Sequence, residues 1–250
     1  SRGLGDVYKR QVVSDSEATD PNYQSNDYAD LLINDSANEI VESYHCFDKL
    51  YPASITKVMT ALLTLEHGNM DDEITLKHDI NLTEDGAVIS TLTKGDTVTV
   101  GQVFHTMLIK SANDCAVILA EYVAGSEAKF IDMMNERARE LGATHTHFVN
   151  PNGLPDENHY TSVYDLYLIF QNAVQDQTFL DIISTMSYDV VYTDVNGAGV
   201  EKTWENTNQY LTGKEKAPEG ITVVGGKTGT TGAAGYCCLL YTSDAADDRI

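Results

Sequence analysis

The sequence predicts an α+β fold in which an antiparallel sheet lobe is interrupted by a mostly helical lobe. Two observations support this prediction. Segments typical of short strands occur near both ends of the chain, whereas the middle shows the apolar spacing of helices. The order strands, helices, strands favours one sheet lobe built from distant parts of the chain. We expect the sheet lobe at about residues 29–53 and 186–237, and the helical lobe at about residues 54–185.

The strand predictions rest on alternating apolar residues and on turn residues between them. The predicted strands are residues 29–34, 39–44, 188–193, 199–204 and 221–226. Asn196-Gly197 lies between the third and fourth of these and favours a tight hairpin. The last strand leads directly into Lys227, and a Thr-rich stretch at residues 75–100 predicts further short strands and turns.

The helix predictions rest on apolar periodicity and on capping residues. An apolar helix begins near Ile55 and is expected to stop at Gly68. The other predicted helices are residues 103–109, 112–123, 126–141 and 162–174. Ser126 is in the position of an N-cap, and Ser162 with Asp165 resembles a capping box.

Composition and charge argue against several classes of function. The 250-residue chain has 42% hydrophobic and 22% charged residues, which is typical of a globular protein. With 16 basic and 38 acidic residues its formal charge is -22, so nucleic acids and anionic lipid surfaces are disfavoured as partners. No apolar run is long enough to span a membrane, and no signal peptide is visible.

Both ends of the chain match translated adapter DNA of transposase-based sequencing libraries. Residues 1–11 read SRGLGDVYKRQ, and residues 238–250 begin with CLLYTSDAAD. We therefore expect a natural segment at residues 12–237, flanked by two adapter-derived tails. On this interpretation, the lack of a signal peptide in the chain does not argue for a cytoplasmic parent protein.

Three short strings are candidates for catalytic chemistry. They are Ser54-Ile-Thr-Lys57, Ser111-Ala-Asn113 and Lys227-Thr-Gly229. Each string alone has low specificity, because the chain also contains Ser126-Glu-Ala-Lys129 and Ser36-Ala-Asn38. We interpret these two additional copies as a helix cap and a turn between strands.

The first string can form an activated nucleophile. A Ser and a Lys three residues apart lie on one helix face, and a Ser hydroxyl becomes reactive when a neighbouring base takes its proton. Lys57 can be that base if its pKa falls from about 10.4 toward neutrality, which burial and a nearby positive charge such as Lys227 would favour. The alternative is that Ser54 is an ordinary N-cap and Lys57 a solvated surface residue.

The strings together resemble the penicillin-recognising serine acyl-transferases, and within them the low-molecular-weight D-alanyl-D-alanine carboxypeptidases. The segments that resemble this family are YPASITKVMT at residues 51–60, LIKSANDCA at 108–116, THFVNPNGL at 146–154, GGKTGTT at 225–231 and AGYC at 234–237. The resemblance implies a β-lactamase/transpeptidase-like fold and no metal or other cofactor. His145 and His147 lack a third residue with which to bind a metal.

The family's residue roles map onto this chain through the matching strings. The implied catalytic residues are Ser54 as nucleophile, Lys57 as its base, Ser111 as proton relay and Asn113 as a partner of Lys57 and of the substrate. The implied substrate-binding residues are Lys227, Thr228, Gly229 and Thr230. Backbone N–H groups of Ser54 and Thr230 would form the oxyanion hole.

The resemblance also implies a substrate and a location. The substrate is a peptidoglycan pentapeptide that ends in D-Ala-D-Ala, and β-lactam antibiotics would acylate Ser54. The enzyme would be extracytoplasmic, with its signal peptide, one or more C-terminal sheet strands and a membrane-anchoring segment of the parent protein missing from this chain. Two alternatives stay open: a class A-like β-lactamase, and a non-catalytic penicillin-binding or sensor protein.

Overall fold

The computed structural model describes residues 29–34, 39–82, 84–216, 221–231 and 235–244. The predicted N-terminal tail at residues 1–11 lies outside these ranges, as do the turn that contains Ser36 and the last residues of the predicted C-terminal tail. No helix in the described ranges combines the length and apolar content that a bilayer-spanning segment requires.

The helices in the described ranges are α1 Lys57–His67, α2 Val100–Lys110, α3 Asn113–Ala124, α4 Glu127–Glu140, α5 Val163–Ala173 and α6 Gln177–Ile183. A short 3-10 helix, Ala53–Thr56, precedes α1 and is called the Ser54 turn below. The capping predictions are confirmed, because Ser126 accepts a hydrogen bond from the backbone N–H of Lys129 and Ser162 accepts one from that of Asp165.

The strands in the described ranges are β1 Asp30–Asn34, β2 Glu39–Tyr44, β3 Glu73–Thr75, β4 Thr97–Thr99, β5 Ser187–Thr193, β6 Gly199–Glu205, β7 Ile221–Thr231 and β8 Gly235–Asp244. They pair antiparallel as β1-β2, β3-β4-β5-β6 and β7-β8. The predicted hairpin at Asn196-Gly197 is confirmed by the pairing of β5 with β6. Its sheet also takes β3 and β4 from the stretch expected to be mainly helical.

Two local predictions were incomplete. The last predicted strand ended at residue 226, but β7 continues to Thr231 because it pairs with β8 along its whole length. Lys227 therefore lies inside a strand. Helix α6 was not predicted, although Asp176 caps it by accepting hydrogen bonds from the N–H groups of Thr178 and Phe179.

The hydrophobic core lies among the helices, and α1 and α3 are surrounded by it on several sides. Residues 57–64 of α1 and 113–120 of α3 are all buried. Large core side chains include Phe104, Met107, Leu119, Phe130, Phe148 and Phe179. A helix that is buried on several sides is fixed by close packing, so the Ser54 turn at the start of α1 has a rigid foundation.

Candidate active site

The three candidate strings meet at the junction of the helices with β7. Ser54 lies in the Ser54 turn, Ser111 lies between α2 and α3, and Lys227 lies in β7. Ser54 is partly exposed, whereas Lys57 is 0% and Lys227 is 1% exposed. The site therefore presents one partly exposed serine beside two buried lysine side chains, and full burial is unusual for lysine.

The amine of Lys57 has three close partners. Its Nζ atom lies 2.8 Å from Ser54 Oγ, 2.8 Å from Asn113 Oδ1 and 2.7 Å from the carbonyl oxygen of Asn152. Asn113 is itself oriented, because its Nδ2 group donates to the carbonyl of Val88 at 2.9 Å. The first two strings are thus joined through one buried amine.

The surroundings of Lys57 disfavour the protonated form of its amine. Burial is the largest cause and lowers its pKa well below the usual value, and the positive charge of Lys227 lowers it further. Asp114 and Cys115 act in the opposite direction but have smaller effects. A buried lysine of lowered pKa next to a hydroxyl is the arrangement that general-base activation requires.

Ser111 and Lys227 form a second contact within the site. Lys227 Nζ donates to Ser111 Oγ at 3.0 Å and to the carbonyl of Thr228 at 2.6 Å. Ser111 has a φ of +63°, a left-handed conformation that is uncommon for residues other than glycine. This conformation ends α2 at Ser111, two residues before α3 begins at Asn113.

Strand β7 passes directly across the Ser54 turn. A Cβ atom placed on Gly229 would lie 2.7 Å from the backbone nitrogen of Ser54, so a larger residue would push the strand away. The hydroxyl of Thr228 lies 2.9 Å from that of Thr207, and Thr230 is paired with Tyr236 of β8. All eight candidate residues named from the sequence thus belong to one region.

The loop at residues 149–154 contributes contacts that sequence reasoning missed. Besides the Asn152 carbonyl on Lys57, the Pro151 carbonyl accepts from Thr60 Oγ1 at 2.6 Å. Gly153 has a φ of +92°, and a Cβ atom there would lie 1.8 Å from the carbonyl oxygen of Ala53. The string NPNGL at residues 150–154 is part of the family resemblance. Its contacts are made by backbone carbonyl groups, which a pattern of side chains does not predict.

The second S-x-x-K string lies elsewhere and does something different. Ser126 caps α4, and Lys129 is exposed on its surface. Of the two histidines considered for metal binding, His145 donates its backbone N–H to Asp165 Oδ2, and His147 forms a strand bridge to Tyr160 and contacts the Asn158 carbonyl through Nδ1. Within the described ranges, no group of three or more His, Cys, Asp or Glu side chains could hold a metal ion.

Known proteins resemble this chain in sequence and in fold. The model of the family Peptidase_S11, D-alanyl-D-alanine carboxypeptidase, matches residues 15–250. The D-alanyl-D-alanine carboxypeptidase DacF of Bacillus subtilis is 33% identical over 83% of this chain and 51% of its own length. DacC of Escherichia coli is 28% identical over 88% of this chain and 54% of its own length. The chain thus spans about half the length of these two relatives.

Solved structures confirm the fold prediction. The crystal structure of the Streptomyces K15 DD-transpeptidase aligns with a TM-score of 0.76 and 26% identity, covering 86% of this chain and 84% of that one. The β-lactamase/transpeptidase-like fold is therefore correct for this chain, with its helical core and antiparallel sheets.

Proposed function

The chain belongs to the D-alanyl-D-alanine carboxypeptidase family Peptidase_S11, and from that premise we propose that it removes the terminal D-Ala from peptidoglycan stem peptides. The relatives carry the same activity in their names. The observation that carries the proposal is the 2.8 Å contact between the buried Lys57 amine and the hydroxyl of the partly exposed Ser54.

The three partners of Lys57 fit a neutral amine. A neutral lysine has two N–H donors and one lone pair, whereas Asn113 Oδ1 and the Asn152 carbonyl can only accept hydrogen bonds. The two N–H groups satisfy these two acceptors, which leaves the lone pair for the hydroxyl proton of Ser54. Lys57 is then the general base for Ser54 in the resting enzyme.

Acylation begins at the peptide bond between the two D-Ala residues. Ser54 Oγ attacks the carbonyl carbon while its proton passes to Lys57 Nζ. The carbonyl oxygen becomes an oxyanion held by the backbone N–H groups of Ser54 and Thr230, and each such donor contributes about 3–4 kcal/mol in the transition state. The tight approach of Gly229 to Ser54 supports this pairing, because it brings β7 against the nucleophile.

The leaving group departs with a proton. Ser111 is connected to both lysines. Its Oγ atom accepts a hydrogen bond from Lys227 Nζ at 3.0 Å, and Asn113, two residues further along the chain, is hydrogen-bonded to Lys57. We assign Ser111 the relay of the proton from Lys57 Nζ to the D-Ala amine when the C–N bond breaks, which returns Lys57 to its neutral form. Lys227 and Thr228 would hold the terminal carboxylate through charge and a hydrogen bond. Water then attacks the ester carbonyl and gives a proton to neutral Lys57, and Lys57 passes that proton to Ser54 Oγ as the ester C–O bond breaks and the shortened peptide leaves.

A β-lactam would react through the same first step. Ser54 Oγ attacks the lactam carbonyl, the ring C–N bond opens, and the leaving nitrogen stays tethered to the acyl group. The tethered group keeps water from the ester, so the acyl-enzyme persists. Because the substrate is part of the cell wall, we place the enzyme outside the cytoplasm.

The experiment measures D-Ala release from a peptide that ends in D-Ala-D-Ala, together with labelling by a fluorescent penicillin. We expect D-Ala release and a stable label in the wild type, and neither in Ser54→Ala. Rapid loss of the label without D-Ala release would indicate a β-lactamase instead. No labelling of a folded protein would indicate a non-catalytic protein and refute the proposal.

A further inference from the structure

His159 is a buried histidine that connects the Ser54 turn with the loop at residues 149–154. The residue is 2% exposed. The Nε2 atom lies 2.8 Å from Thr56 Oγ1, and the Nδ1 atom lies 3.0 Å from the backbone nitrogen of Val149. Thr56 is 1% exposed and is the neighbour of Lys57 in the chain. The ring therefore links two backbone segments that both contact the lysine.

The hydrogen bonds fix which ring nitrogen carries the proton. The backbone N–H of Val149 can only donate, so Nδ1 of His159 must accept and cannot carry a proton. The proton of the neutral ring is then on Nε2, which donates to Thr56 Oγ1. Burial lowers the pKa of His159 to about 4; Asp156 raises it and His147 lowers it by smaller amounts. The ring is neutral at neutral pH, as this arrangement requires.

His159 is one of three links between the same two segments. The second is the hydrogen bond from Lys57 Nζ to the Asn152 carbonyl, and the third is that from Thr60 Oγ1 to the Pro151 carbonyl. On the helical side the three links are made by Thr56, Lys57 and Thr60, which lie at the end of the Ser54 turn and in the first turn of α1. The loop position on which the Lys57 amine depends is therefore set partly by His159.

We propose that His159 is a positioning residue for acyl transfer: by tying Thr56 to Val149, it holds the Asn152 carbonyl on Lys57 and keeps the amine directed at Ser54. This inference rests on the proposed function. The ring nitrogens of His159 are hydrogen-bonded to Thr56 and Val149 and so act on Lys57 through Thr56 and the loop. Displacement of a reacting group by about 1 Å can cost about 100-fold in rate, so loss of the tie is expected to slow acylation by about 10-fold or more.

The test compares variants that remove the tie from either end. His159→Phe keeps an aromatic ring but loses both hydrogen bonds, and Thr56→Val keeps the shape of threonine without its hydroxyl. His159→Gln can donate and accept and should restore much of the rate. His147→Phe is the matched control, because His147 is an exposed histidine that contacts only the Asn158 carbonyl among the described contacts of its ring nitrogens.

The readout is the rate constant of acylation by a fluorescent penicillin at saturation, separated from the dissociation constant of the complex before acylation. We expect His159→Phe and Thr56→Val each to lower the rate constant about 10-fold or more with little change in the dissociation constant. The double variant should be no slower than the slower single variant, because both changes break one link. His147→Phe should match the wild type.

Several outcomes would overturn the inference. A folded His159→Phe that is acylated at the wild-type rate would do so, as would independent, multiplicative effects of the two substitutions. If His159→Phe does not fold, Thr56→Val and His159→Gln still decide the matter. Nitrogen NMR of the wild-type imidazole must show a neutral ring protonated on Nε2; a proton on Nδ1 would refute the tie. Absence of acylation in the wild type would instead refute the proposed function.

Discussion

Two segments of this molecule share the pattern S-x-x-K and differ in almost everything else. At Ser54 the side-chain amine of Lys57 meets the serine oxygen at 2.8 Å in a buried site. At Ser126 it is the backbone N–H of Lys129 that meets the serine oxygen, at 3.2 Å, and the lysine amine lies at the surface. We propose the first serine as a nucleophile, whereas the second caps the N-terminus of a helix.

The comparison shows that spacing brings serine and lysine together only when the surroundings favour it. Ser54 lies within a 3-10 helix, and the helix α1 that follows it is buried. The side chain of Lys57, the first residue of α1, therefore lies in the protein interior. Ser126 begins the amphipathic helix α4, where the backbone N–H groups of the first turn need an acceptor. Burial and the positive charge of Lys227 lower the pKa of the first lysine, which favours the base role we propose for it.

The largest expected effect separates the two serines. Ser54→Ala should lower the rate of acylation by about 10⁴-fold or more, because the attacking oxygen is gone. Ser126→Ala should leave acylation unchanged and lower the free energy of unfolding by about 1 kcal/mol, the usual effect of losing an N-cap. Labelling kinetics and urea denaturation measure both. An acylation defect in Ser126→Ala would break the comparison.

The two lysines should differ in their tolerance of arginine. Arginine keeps a positive charge but does not lose its proton in proteins, so it cannot be a general base. Lys57→Arg should slow acylation by about 10²–10⁴-fold, the usual contribution of general-base catalysis. Lys129→Arg should have no effect on the same measurement. Near wild-type acylation in Lys57→Arg would show that Lys57 is not the base.

Two glycines of positive φ test the contact between the loop at residues 149–154 and the Ser54 turn. Gly86 has a φ of +78° and no neighbour within 4 Å of an added Cβ, whereas Gly153 has the clash with Ala53. Gly86→Ala should cost about 1–2 kcal/mol of unfolding free energy through backbone strain alone. Gly153→Ala should cost about 1–3 kcal/mol more, because the turn or the loop must move, and it should slow acylation. Equal losses of unfolding free energy in the two variants would count against the contact.

The smallest expected effect is a shift of the pH profile. Acylation should be fast above the pKa of Lys57 and fall as lower pH protonates the amine. Since the charge of Lys227 helps to lower that pKa, Lys227→Met should raise it and move the acid limb of the acylation profile to higher pH. Lys129→Met serves as the control and should leave the limb in place. A limb that stays or moves to lower pH in Lys227→Met would contradict the electrostatic account.

The sequence was sufficient for most local elements and for the site strings, but not for helix α6 or for the full length of β7. Caps at Ser126 and Ser162 and the turn at Asn196-Gly197 depend on neighbouring residues, and such short-range signals are readable in one sequence. The four-stranded sheet was not predictable in the same way. In this sheet β4 pairs with β5, although some ninety residues separate the two strands in the sequence. No local sequence pattern encodes a pairing over such a distance.

The supporting contacts of the site were also beyond the sequence. The Asn152 carbonyl is a backbone group that every residue possesses, so nothing in the letters marks it as a partner of Lys57. His159 has no spacing relation to Thr56, from which it is separated by 103 positions. The sequence shows that residue 153 is a glycine, but only the fold shows that the Ala53 carbonyl leaves no room for a side chain there.

The central claim is that the amine of Lys57 is neutral, and so can act as a base, in the enzyme before substrate binds. Nitrogen NMR of the lysine amines tests this most directly, with the Lys57 signal identified by its loss in Lys57→Met. The account predicts that the Lys57 amine loses its proton well below about 10.4, the usual lysine pKa, and that acylation by penicillin rises along the same curve. An amine that titrates in the ordinary lysine range, with acylation already complete at lower pH, would contradict it.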